Sequence, residues 1–278
     1  MLHNIISLKS MNTKVKRTRK ENVKKYRGEY KEYIRRESRL YRARRRFAKR
    51  RYKESVAEYD RAHGIAAPKD PPKRAVLEEI GNSVTHGLGS VFAVVAFILM
   101  MLASDTDGEV AAASIYFFGQ FIMFTMSCLY HALPHGSAVK RLFRRFDYSS
   151  IYLLIGATFA PPLINVVGGI FGTVFFIVQW TVIAAGISLV GVFGPTRLRF
   201  VHIPLYVMLG WSALMLLPSL ISASFPLAMW ILGGGVIYTL GIIPFTMKLR
   251  ASHFIWHFFV LAGAVVQWVG IYVYIYLA

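Results

Sequence analysis

From residue 81 onward the chain alternates long apolar runs with short polar breaks, a pattern that predicts membrane-spanning helices. The runs cover residues 81–102, 110–133, 146–167, 170–193, 201–219, 225–247 and 251–277. Each is near the ~20 residues that a helix needs to cross ~30 Å of hydrocarbon. Pro204, Gly210, Gly234 and Pro244 lie inside these runs. They would count against soluble helices but are common in membrane ones. The expected fold is an all-α membrane protein, a seven-transmembrane-helix bundle over residues 73–278. Residues 12–62 show no such runs and are dense in Lys, Arg, Glu and Tyr. With too few apolar residues for a core, residues 1–72 are expected to form a partly helical or disordered basic arm. Pro68, Pro71 and Pro72 then stiffen the link to the bundle.

Charge sharpens this picture. The formal net charge is +19, and 25 of the 33 Lys and Arg precede residue 78, so about 200 residues have little polar surface to offer water. The later bases are Lys140, Arg141, Arg144, Arg145, Arg197, Arg199, Lys248 and Arg250, all in alternate loops on the side of the basic arm. By the positive-inside rule the N-terminus is cytoplasmic, the C-terminus outside, and the protein multi-pass in the inner membrane. The apolar patch at residues 5–8 is too short for a signal peptide, so the first span is expected to act as the targeting signal. One cysteine, Cys128, leaves no intrachain disulfide to staple a secreted domain. The arm's bases suit anionic lipid headgroups, whereas binding nucleic acid would require the arm to leave the membrane surface. No feature of the chain names a protein partner.

Ionisable residues inside apolar helices are costly and mark functional sites. His86 lies early in the first span, His131 late in the second, Asp147 at the start of the third, and His253 and His257 at the start of the seventh. The topology drawn from Lys and Arg alone puts all five within about two turns, roughly 10 Å, of the cytoplasmic end. His253 and His257 are four apart and share one helix face, as do Ser127 and His131, and Asn82 and His86. Three histidines at one depth with an open fourth position fit a catalytic zinc site, with His131, His253 and His257 as ligands. Asp147 would orient or deprotonate water, and Ser127 would serve the oxyanion or the water. Structural readings stand beside these. An H-x-x-x-H pair alone is weak, Asp147 can pair with Arg144 or Arg145 across a turn, His86 and His202 can bond neighbouring helices, and Cys128 can simply pack.

Four motifs carry a resemblance. Glu79, Asn82, Thr85, His86, Gly87 and Gly89 make an E-x-x-N-x-x-T-H-G-x-G start to the first helix. Ser127 and His131 make S-x-x-x-H, Phe146-Asp147-Tyr148 an aspartate motif, and His253 and His257 H-x-x-x-H. In this order they resemble the hemolysin III family, which belongs with the progestin and adipoQ receptors (PAQR) and, more distantly, the alkaline ceramidases. The resemblance implies seven helices, an inside N-terminus, and zinc on His131, His253 and His257 with Asp147 and Ser127 close by. Glu79, Asn82 and His86 are expected behind the ligands. The receptor and ceramidase side implies hydrolysis of a lipid amide or ester by metal-activated water. The family name implies cytolysis by channel formation. The expected function is therefore zinc-dependent hydrolysis of a membrane lipid, the alternatives being a channel-forming protein or a receptor with structural zinc.

Overall fold

The computed structural model describes residues 2–62, 71–247 and 251–278. It divides into two units, Met1–Pro68 and Lys69–Ala278. Pro68 of the expected linker and the bases Lys248 and Arg250 lie outside the described residues.

The described residues of the first unit form one helix, α1 (Leu2–Ala62). Within the arm, expected to be partly helical or disordered, this helix runs through Gly28. Lys, Arg, Glu and Ala propagate helix well, and pairs one turn apart add support, such as Arg50 to Glu54 at 2.8 Å.

The second unit holds seven helices long and apolar enough to cross a membrane. They are α2 (Val76–Leu102), α3 (Asp107–Ala132), α4 (Ala138–Val167), α5 (Gly169–Phe193), α6 (Phe200–Ala223), α7 (Phe225–Thr246) and α8 (Ser252–Tyr276). All seven expected spans are present, and the described residues contain no strand. Two starts differ from expectation. Helix α2 begins at Val76, which places Glu78 and Glu79 in its first turn, where the helix dipole favours acids. Helix α4 begins at Ala138, because the Ser137 side chain caps it by accepting from the Lys140 amide at 3.0 Å. Lys140, Arg141, Arg144 and Arg145 are therefore helical, not a loop.

Helix α2 is apolar outside and mostly small or polar inside. Helix α2 buries Asn82, Thr85, His86, Gly89, Ala93 and Ala96 along one stripe. It exposes Val84, Leu88, Val91, Val95 and Ile98 on the other. That is the reverse of a soluble amphipathic helix, as expected where the outer solvent is lipid. Helix α4 is the most enclosed span, 61% buried against 17% for α6, so it forms the centre of the bundle. Its contact with α3 is close: a Cβ at Gly119 would meet Ala157 and stand 2.6 Å from the Leu153 carbonyl oxygen. Helices α2 and α3 pack together, as do α7 and α8, and α8 returns to lie against α2. At the far end a capping box of Thr106 and Glu109 starts α3, and Tyr276 donates to the Glu109 carbonyl at 2.9 Å, tying the last helix to it.

Candidate metal centre

The return of α8 to α2 brings both beside the last turn of α3. At that end of the bundle His253 Nε2 lies 3.3 Å from His131 Nε2 and 3.2 Å from His257 Nε2. Nitrogens held at 2.0–2.1 Å by a tetrahedral ion sit about 3.3 Å apart. Two of the three pairs thus have the spacing of a coordination sphere, and with all three ligand nitrogens within 4.8 Å of one another the imidazoles could hold a metal ion.

The opposite ring nitrogens of His131 and His257 are fixed by protein. His131 Nδ1 donates to Glu79 Oε2 at 2.5 Å, and His257 Nδ1 donates to the Asn82 carbonyl at 3.2 Å. Each bond places the proton on Nδ1 and leaves the Nε2 lone pair free for a metal. The Asn82 amide stands 3.3 Å from His131 Nδ1, farther than Glu79, which is the partner that sets the tautomer. His86 is not among the converging nitrogens. Its ring stacks on His257 with centroids 3.7 Å apart and meets Phe124 edge-on, so it holds the His257 plane.

Glu79 is itself held. Its Oε1 accepts from Lys140 Nζ at 3.1 Å. Lys140 is 1% exposed and also donates to the Leu133 carbonyl at 2.9 Å and the His131 carbonyl at 3.4 Å. Its ammonium lies 4.9 Å from the centre of the Tyr130 ring. A buried ammonium is tolerable only with such partners. Reading the sequence assigned Lys140 to a loop and missed this role. The signal was Ser137, a helix-capping residue that moves the helix start forward and puts Lys140 in its first turn.

Asp147 on α4 and Ser127 on α3 are buried and line one cavity with His86, His253 and His257. The Ser127 hydroxyl is within hydrogen-bonding reach of the Asp147 carboxylate. Among the described residues no ion pair joins Asp147 to Arg144 or Arg145; Arg145 donates instead to the Gly191 carbonyl at 3.1 Å. Cys128 faces α2, where Ser83 donates to its carbonyl at 3.0 Å. His202 lies elsewhere, accepting from or donating to the Tyr152 hydroxyl at 2.9 Å.

From this polar head the cavity continues between the helices past Leu154, Phe159, Leu216, Leu220 and Ile231 to Gln267. Along α8 the stretch from His253 to Gln267 rises about 21 Å. The arrangement combines three histidines that could hold a metal ion, a carboxylate, a hydroxyl and a long, mostly apolar chamber.

Comparison with known proteins finds relatives of the second unit. A family model described as Haemolysin-III related matches residues 74–268. The chain is 32% identical over 208 residues to Hemolysin-3 of Bacillus cereus, covering 72% of this chain and 93% of that protein. It is 28% identical over 197 residues to the Hemolysin-3 homolog of Bacillus subtilis (strain 168), covering 68% and 90%. It is also 28% identical over 211 residues to the Monocyte to macrophage differentiation factor of Homo sapiens, covering 73% and 87%.

Proposed function

The chain belongs to the haemolysin-III-related family of multi-pass membrane proteins, and from that premise we propose that it is a zinc-dependent hydrolase of a lipid amide or ester. The observation that carries this reading is the convergence of three Nε2 atoms beside Asp147 and Ser127 at the head of an apolar cavity. His131, His253 and His257 would hold the ion, with the tautomers of His131 and His257 set by Glu79 and the Asn82 carbonyl. Zinc, when bound in such a set, lowers the pKa of a coordinated water towards ~7 and polarises a carbonyl. Asp147 accepts a proton from water and returns it to the leaving amine or alcohol. Ser127 offers one hydroxyl proton, to Asp147 at rest and to the carbonyl oxygen as charge builds on it. The apolar wall takes the acyl chain and keeps water away from it. Its length of about 21 Å along α8 exceeds the ~15 Å of hydrocarbon in one leaflet, so an extended long chain fits.

The same features weigh against a permeabilising channel, which needs a polar path to the opposite face. Beyond Asp147 the wall is mostly apolar, and its polar groups, Thr158, Thr239, Gln267 and the hydroxyls of Tyr148, Tyr206 and Tyr238, are set among aliphatic and aromatic side chains. The alternate-loop pattern of Lys and Arg supports a cytoplasmic N-terminus in the inner membrane, with the site at the cytoplasmic leaflet.

Metal content of detergent-purified protein, measured beside hydrolysis of a panel of bilayer lipids, tests the proposal. Wild type should carry about one zinc per chain, His257→Ala should lose it, and Asp147→Ala should keep it while losing turnover. Zinc with no turnover of any lipid would make the metal a structural staple. No zinc in the wild type would remove the metal site.

A further inference from the structure

Helix α1 gathers five of its tyrosines on one face, while its bases are spread over the rest of the helix and are densest on one flank. At about 100° per residue, Val23, Tyr26, Tyr30, Tyr33, Ile34 and Tyr41 fall within about 100° of arc, and Tyr52 continues the stripe. Lys24, Lys31, Arg35, Arg42, Arg46 and Lys49 fall within about 60° of arc centred roughly 140° away. The five tyrosines are 59–71% exposed, and nothing within their unit covers them. Glu37, Arg44 and Arg51 interrupt the aromatic stripe, and the two arginines are long enough to lift their charges towards the cationic flank.

The identity of the apolar residues is informative. A helix that packs against another protein helix presents branched aliphatic side chains at heptad spacing, and this stripe is mostly tyrosine. Tyrosine has an apolar ring and a polar tip, the combination enriched where hydrocarbon meets headgroups. A second copy on the stripe would also bring two strongly cationic helices together. A negatively charged surface instead complements the flank along its whole length.

We propose that α1 is an interfacial helix that lies on an anionic phospholipid surface, with the tyrosine stripe sunk to the level of the headgroup–acyl boundary and the Lys/Arg flank among the phosphates. This goes beyond the hydrolase reading and does not depend on it. Attraction to phosphate ranks membranes by their anionic lipid content, and high salt weakens it.

The test uses the full-length chain, with Cys128→Ala and single cysteines at Tyr30, Tyr41, Arg35 or Arg42, spin-labelled in nanodiscs. One set of discs is phosphatidylcholine; the other also contains phosphatidylglycerol. In the anionic discs, labels at Tyr30 and Tyr41 should be accessible to oxygen and shielded from a water-soluble nickel complex. Labels at Arg35 and Arg42 should show the opposite, and the contrast should fade in phosphatidylcholine discs or in high salt. Equal nickel accessibility at all four sites in anionic discs would overturn the proposal. So would shielding that appears only when RNA is added, which would make the arm a nucleic-acid binder. A second arm, Lys31, Arg35, Arg42 and Arg46 all changed to Gln with the label at Tyr30, should lose the shielding while circular dichroism retains the helix. Shielding unchanged in that variant would likewise overturn it.

Discussion

Glu79→Gln isolates the carboxylate that links Lys140 to His131. In the native site Oε2 takes the His131 Nδ1 proton at 2.5 Å while Oε1 takes a Lys140 proton at 3.1 Å. Glutamine has one acceptor and one donor for these two donors. If its oxygen faces His131, its amide hydrogens oppose the Lys140 ammonium. If its oxygen faces Lys140, the His131 proton must move to Nε2, the atom that would bind the metal. Exchanging a charge-assisted bond for a neutral one costs about 1–1.5 kcal/mol, a roughly tenfold loss of metal affinity. Loss of the carboxylate behind a metal-bound histidine is typically worth ~10–100-fold, so the expected weakening lies in that interval. The assay is competition for zinc against a chromogenic chelator in detergent, with His257→Ala as the non-binding control. A Glu79→Gln protein that matches wild-type affinity would refute the claim that Glu79 sets the His131 tautomer.

The neighbouring features give further expectations. Lys140→Met leaves Glu79 and the Leu133 carbonyl without their cation, which should cost about 3–5 kcal/mol of stability in a denaturant titration. Combined with Glu79→Gln the loss should be smaller than the sum; additivity within about 0.5 kcal/mol would mean the two do not interact. Gly235 lines the cavity and a Cβ there meets nothing within 4 Å, so Gly235→Phe should fill the chamber without disturbing the fold. Hydrolysis of long-chain lipids should fall while short-chain analogues are still cleaved and metal content holds. His86→Phe preserves the stack on His257 and should keep one metal per chain by elemental analysis; its loss would make His86 a ligand.

Much of this protein was legible in one dimension. The seven spans follow from hydropathy alone, because lipid sets a minimum length of apolar sequence that is counted residue by residue. The shared face of His253 and His257 is also local, since helical periodicity fixes it before any partner is known. The depth at which His131, Asp147 and the histidine pair lie follows from charge in the loops and helix rise. Asp147 and Ser127 could be placed near the histidines by depth, but depth alone does not say which way a helix is turned.

That rotation came only with tertiary structure. Close approaches at small residues decide it, as where Gly119 meets Leu153 and Ala157, or where a Cβ at Gly234 would come 3.0 Å from the Gly263 carbonyl. Such contacts turn His131 towards α8 and Glu79 towards His131, partners 52 residues apart. They also carry Lys140 into a buried network that a count of loop charges assigned to solvent. The cavity belongs to no single helix and has no signature in the chain. The periodic spacing of tyrosines in the arm was present in the sequence, but it becomes a surface only because α1 is one continuous helix. What the sequence determined by itself was set by solvent and period, which act on each segment separately. What the fold decided was the pairing of segments, which depends on distant side chains meeting at one place.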